Sequence, residues 1–132
     1  NLMSKRIIQT DLAPAPVGTY SQAVLSQGIL YISGQIPLDP KTGQLVTTDF
    51  DSAARQTLTN LKAIVEAAGL TLADVVKVSV FLKDMDRFAD FNAVYATFFT
   101  SPYPARAVVE VARLPKDVPI EIEAIAHTGA VP

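Results

Sequence analysis

Val75-Val76-Lys77-Val78-Ser79-Val80-Phe81-Leu82 is the stretch on which the fold turns. It is crowded with β-branched residues and reads as a strand. Alternation puts Val76, Val78, Val80 and Leu82 on one side and Lys77, Ser79 and Phe81 on the other. A side that is apolar along its whole length needs a covering layer, and the flanking sequence supplies one. Upstream, Phe50, Ala53, Ala54, Leu58, Leu61, Ile64, Val65 and Ala68 recur at helical spacing. Thr48 or Asp49 can cap that helix, and Gly69 stands where it stops. Downstream, a second helix is expected from about Asp86 to Phe99, with Phe88, Phe91, Tyr95, Phe98 and Phe99 on its buried side. Pro102 and Pro104 end it.

Short strands complete the pattern at both ends. Ile7-Ile8, Ala23 to Leu25 and Ile29 to Ser33 precede the first helix, and Gln27-Gly28 forms the turn between the last two. Pro14, Pro16 and Gly18 hold the loop from Asp11 to Thr19 extended, and Pro37 to Gly43 is a rigid surface turn. Ala107 to Val111 and Ile120 to Ala126 flank Leu114-Pro115-Lys116-Asp117 and read as a hairpin. In that register Ala107, Val109 and Val111 join Ile120, Ile122, Ala124 and Ala126 toward the helices. Arg106, Val108, Glu110, Glu121, Glu123 and Ile125 are left on the other face. The fold class is α+β, a mixed sheet with two helices packed on one face. The second face, with Phe81, Val108 and Ile125 among its charges, either meets water or closes against the sheets of other subunits.

The chain of 132 residues is long enough for one domain over 1–132, with Asn1-Leu2 ahead of Met3 read as an appended scar. Hydrophobic residues are 49% against 18% charged, an excess that goes into a generous core or a subunit interface. A net charge of −2 offers no basic surface for nucleic acid. With no cysteine and a single histidine, His127, thiol nucleophiles, disulfides and Cys/His metal clusters are excluded, and no metal is expected. No apolar run reaches the roughly 18 residues of a membrane span. Ser4-Lys5-Arg6 is followed by only two isoleucines, so no signal-peptide core is present and a cytoplasmic location is expected.

The chemistry-bearing candidates are few. Arg106 opens a strand just behind Pro104, and its planar, permanently charged fork fits a carboxylate. It is either a clamp for a small organic acid, or a structural residue paired with Glu110 or water. Glu110, Glu121 and Glu123 are each candidates to position a water or move a proton, against a purely solubilising role. Asn92 borders the apolar side of the second helix, where its amide either braces backbone or meets a ligand. Tyr20 and Ser21 follow the proline loop, while Tyr31 and Ser33 share a strand face that Gly34 ends. A serine without a partner base is a poor nucleophile, so no hydrolase triad is read. The isolated glycines make no phosphate-cradling loop. Arg113 and His127 read as surface residues.

Gly18-Thr19-Tyr20-Ser21-Gln22-Ala23, Ile32-Ser33-Gly34-Gln35-Ile36-Pro37, and the motifs Pro104-Ala105-Arg106 and Ile120-Glu121-Ile122-Glu123-Ala124 together resemble the RidA/YjgF family of reactive-intermediate deaminases. The likeness runs from about Ser4 to Ala126, and Val109-Glu110-Val111-Ala112-Arg113-Leu114-Pro115 belongs to it. It implies a chorismate-mutase-like fold assembled as a homotrimer, with a pocket at each subunit interface. It also implies cofactor-free hydrolysis of 2-aminoacrylate and 2-aminocrotonate, released by pyridoxal-phosphate-dependent dehydratases, to keto acids and ammonia. On this resemblance Arg106 holds the substrate carboxylate and Glu121 positions or activates water, while Tyr20, Ser33, Gly34, Asn92 and Val108 line the site. Val108 stands where many relatives carry cysteine, and Thr19 replaces a common proline. Two other readings follow: a non-catalytic regulator binding small keto or amino acids, and an endoribonuclease or translation inhibitor.

Overall fold

A computed structural model describes residues 4–129; the reading of Asn1-Leu2 as a scar lies outside them. Strands β1 (Arg6–Ile8), β2 (Ala23–Ser26) and β3 (Ile29–Gln35) lead into helix α1 (Phe50–Ala67). Strand β4 (Val75–Leu82), helix α2 (Phe88–Tyr95), β5 (Ala105–Glu110) and β6 (Ile120–His127) follow. The six strands form one sheet in the order β1-β2-β3-β6-β4-β5. Every neighbouring pair is antiparallel except β4 and β5, which run parallel. A parallel pair needs a crossover, and α2 is that crossover.

Helix α1 begins where Asp49, in extended backbone, accepts a 2.7 Å hydrogen bond from the Ser52 amide. At its other end Gly69 adopts φ +81. The amides of Gly69 and Leu70 there donate to Glu66 and Val65 at 2.9 and 3.2 Å, a Schellman closure. Ala53, Ala54, Leu58, Leu61, Ile64 and Val65 are buried against Leu30, Ile32, Ile122, Ala124, Val78 and Val80 in one core. Each such Leu, Ile or Val contributes roughly 1.5–3 kcal/mol on burial.

Three local expectations need correction, and one of strand pairing. Val76 is 42% exposed, because the register between β4 and β6 shifts between Val75 and Lys77. The extra residue of that bulge turns Val76 out and brings Val75 in. The second helix is shorter than Asp86–Phe99: a 3₁₀ turn at Met85–Arg87 precedes α2, and a mixture of i−3 and i−4 bonds carries the chain from Ala96 to Phe99. Phe91, Tyr95 and Phe99 are buried as expected, but Phe88 is exposed.

The largest correction concerns the last two strands. They form no hairpin, because β6 inserts between β3 and β4, whereas β5 pairs with β4 at the sheet edge. Partners across a ladder share a face, so Arg106 beside Val78, Val108 beside Val80 and Glu110 beside Leu82 belong to the helix side. Ala107 and Val109, beside Ser79 and Phe81, take the open side instead. The parity of β5 is thus the reverse of the expected one, and that decides where its arginine points.

Candidate active site

Arg106 rises from the edge strand toward α2. Its Nη1 donates a 2.9 Å hydrogen bond to Asn92 Oδ1. Its guanidinium carbon lies 4.8 Å from the ring centre of Tyr95, 5.6 Å from Phe91 and 5.8 Å from Phe88. Among the described residues no carboxylate comes within ion-pair distance of it. Glu110, the expected structural partner, instead accepts a 2.8 Å hydrogen bond from the Met85 amide and steadies the turn before α2. A cavity of about 360 Å³ opens beside the guanidinium, walled by Asn92, Tyr95, Ala96, Tyr103 and Pro104. It is a cationic, largely aromatic hollow with a free donor edge.

Glu121 lies on the other side of the sheet, opposite Phe81 in the β4–β6 ladder. It lines a second cavity of about 470 Å³ with Tyr20, Ser33, Gly34, Lys116 and Glu123. The register of β3 against β6 shifts between Ile32 and Gln35, so Ser33 and Gly34 occupy a bulge that re-aims the strand toward Glu121. Burial, and secondarily the Glu123 carboxylate, push the Glu121 carboxyl above its ordinary value. Such an acid can exchange a proton nearer neutrality than a solvated glutamate can. Lys116 and Asp117 hold left-handed φ values of 57 and 56, which presents the Lys116 stretch at the cavity rim.

The expected site residues therefore fall into two groups within the chain. Arg106 and Asn92 make the first; Tyr20, Ser33, Gly34 and Glu121 make the second. Arg106 stands in the row of Val78 and Glu121 in the row of Phe81, two strands away. That is roughly 10 Å along and 10 Å across the sheet, on opposite faces. Val108 joins neither group through its side chain, which packs on the core. The Ser33 hydroxyl donates to the Ser21 carbonyl at 2.6 Å, and the residue lines the Glu121 cavity. Among the described residues no three metal-ligating side chains gather.

Among the buried amides without an individual sequence reading, two fasten the loops around the site. Gln22, 2% exposed, accepts from the Thr10 amide at 2.7 Å and donates to the carbonyls of Thr10, Ala13 and Pro14 at 3.0, 3.2 and 2.8 Å. It thereby fastens the proline loop that presents Tyr20. Asn60 on α1 donates to the Ile36 and Leu38 carbonyls at 3.1 and 2.9 Å, anchoring the chain just after the bulge. A polar residue on an otherwise apolar helix stripe was the available signal for Asn60. Gln22 offered none.

A family model described as Endoribonuclease L-PSP matches residues 10–128. The chain is 58% identical over 127 residues to a 2-iminobutanoate/2-iminopropanoate deaminase of Salmonella typhimurium, a match covering 94% of this chain and 98% of that protein. The crystal structure of the YjgF gene product from E. coli is similar at 54% identity and a TM-score of 0.88, covering 93% of this chain and 98% of that one. E. coli TdcF, solved with bound serine, is similar at 47% identity and a TM-score of 0.90, covering 94% and 99%.

Proposed function

This chain belongs to the Endoribonuclease L-PSP family, the RidA/YjgF group, and on that footing we propose that it is a 2-iminobutanoate/2-iminopropanoate deaminase. It would hydrolyse the imine tautomers of 2-aminocrotonate and 2-aminoacrylate to 2-ketobutyrate and pyruvate, releasing ammonia. The observation that carries this reading is the Arg106 fork, braced by Asn92 and without a carboxylate partner among the described residues, at the mouth of a hollow walled by Tyr95 and Tyr103. Charge-assisted hydrogen bonds from such a fork to a shielded carboxylate contribute roughly 1.5–3 kcal/mol each. A relative solved with bound serine is consistent with a small ligand bearing an α-carboxylate.

In this mechanism Arg106 grips the carboxylate, and water adds to the neighbouring imine carbon. Glu121 takes the proton that the water sheds and returns it to nitrogen. Glu121 then passes the hydroxyl proton of the resulting carbinolamine to the amine, the C–N bond breaks as the carbonyl forms, and ammonia leaves. Orientation and a polarised water supply most of the acceleration, so the step needs no cofactor. Tyr20, Ser33, Gly34 and the backbone at Val108 border the ligand.

The separation of Arg106 from Glu121 supports a site shared between subunits, in a homotrimer whose open sheet faces would pack together. Ile7, Tyr31 and Val109 on that face are exposed in the single protomer, and Phe81 and Ile125 are half-exposed. One protomer's Arg106 would then meet the Glu121 cavity of its neighbour. A cytoplasmic location, where such dehydratases release their products, completes the reading.

Adding the protein to a threonine dehydratase reaction tests it: 2-ketobutyrate should appear faster, and Arg106→Ala should abolish the effect. Binding of 2-ketobutyrate without faster imine decay would favour a regulator, a reading that the serine-bound relative also accommodates. Ribonuclease activity suits neither the net charge of −2 nor a second cavity lined by two glutamates.

A further inference from the structure

Arg106 is a long side chain on an edge strand, and an unrestrained arginine forfeits about 2 kcal/mol of rotamer freedom when a ligand fixes it. Two residues one helical turn apart on α2 remove much of that freedom beforehand. Asn92 takes one Nη1 hydrogen and sets the rotation of the guanidinium within its plane. Tyr95, three positions on and so on the same helix side, lies closest to the guanidinium of the three rings around it, at 4.8 Å. Its ring is itself fixed on both sides, stacked on Phe99 at 4.6 Å and 22° and tilted against Phe91 at 5.4 Å and 46°. A buried tyrosine ordinarily keeps its hydroxyl for a hydrogen bond. The Tyr95 hydroxyl is buried and makes none among the described residues, so what this residue contributes is its face.

We propose that Tyr95 is a positioning residue for the carboxylate clamp: its locked ring, acting together with Asn92, holds the Arg106 guanidinium so that Nη2 and Nε face the cavity before substrate arrives. The ring attracts the cation and stops it tilting, while the amide stops it turning. Their joint effect is to leave one edge of the fork free, directed past Ala96 and Pro104 where a planar carboxylate can meet it. Tyr95 also forms part of the cavity wall, but the role assigned to it here is exercised through Arg106.

This rests on Arg106 being the clamp, and the experiment separates the two ideas. Imine hydrolysis and calorimetric binding of 2-ketobutyrate are measured for the wild type, Tyr95→Met, Tyr95→Phe and Arg106→Ala. Methionine fills the buried space without an aromatic face. Tyr95→Met should raise KM and the 2-ketobutyrate Kd about fivefold with kcat little changed, since a ground-state contact is weakened. Tyr95→Phe should recover most of that loss, because the ring returns without the hydroxyl. A Tyr95→Met protein that binds like the wild type, while Arg106→Ala does not bind, overturns the positioning role and leaves the clamp standing. Arg106→Ala binding normally overturns the clamp itself. Should Tyr95→Met fail to fold, the wild-type Arg106 Nε–Hε order parameter decides: about 0.85 marks a held fork, and a value below about 0.6 rejects the proposal.

Discussion

The Glu121 carboxyl group lies directly over the α-carbon of Gly34: a Cβ at position 34 would sit 2.8 Å from Glu121 Cδ and closer still to Oε2. Glycine is required here for close approach rather than for a left-handed turn. The missing side chain lets an acid on β6 fold across the β3 bulge and face Tyr20. Gly34→Ala should therefore displace Glu121, lowering kcat by about 10²-fold, the span of a misplaced proton-transfer group. Steady-state kinetics beside thermal melts would check this, and an alanine variant with full turnover would remove Glu121 from the chemistry.

Arg106→Lys keeps the charge but loses the planar fork. KM for the imine should rise roughly tenfold or more, the loss of one charge-assisted hydrogen bond, with kcat less affected. Competition by 2-ketobutyrate should weaken in parallel. A lysine variant with unchanged KM would mean that charge alone suffices.

Glu121 binds its proton more tightly in the folded protein than in the unfolded chain, where a glutamate sits near 4.5. Folding is therefore favoured while the group is protonated. That contribution is complete below the ordinary value and is lost as pH rises through the raised one. Glu121→Gln should flatten this decline, so melting temperatures of variant and wild type should separate as pH rises above the ordinary glutamate value. Glu123→Gln, which removes the neighbouring charge, should shift the wild-type slope to lower pH. Parallel curves for all three proteins would show that the two carboxylates do not interact.

Gln22→Ala strips partners from the Thr10 amide and from three carbonyls of the proline loop. Urea unfolding should report a loss of about 3 kcal/mol. Amide exchange should quicken across residues 11–19 before it does in the core. Uniform acceleration would show that the loop is not fastened by this one side chain.

Tyr95→Phe removes a buried hydroxyl that has no partner among the described residues. It should stabilise the protein by about 1 kcal/mol, visible as a rise of a few degrees in Tm. A fall would reveal a partner for that hydroxyl in the assembled protein.

Local patterns made much of the architecture legible. The bounds of β4, the cap and stop of α1, and the inward row Ile120, Ile122, Ala124 and Ala126 all follow from periodicity and end signals. Strand pairing was not local in this way. Nothing in residues 105–127 announces that β6 pairs with β3 and β4 while β5 pairs with β4 alone. The small apolar residues Ala107 and Val109 looked inward because of their type, yet an edge strand can expose them and turn Arg106, Val108 and Glu110 toward the helices. The same blindness placed Arg106 and Glu121 on one face. Bulges at Val75/Lys77 and Ile32/Gln35 escaped notice because an extra residue leaves no mark of its own in an alternating run. Gln22 stayed hidden because all its partners are backbone groups eight to twelve positions away.

The strand at the heart of the sheet is the last of the six to leave the ribosome. Until residues 120–127 emerge, β3 and β4 each show a raw edge that nothing synthesised earlier can join. The nascent polypeptide can roll up α1 and both hairpin-linked N-terminal strands, but it cannot seal its interior. Closure is thus deferred to a single late insertion, so a stop codon just before residue 120 would forfeit the whole domain.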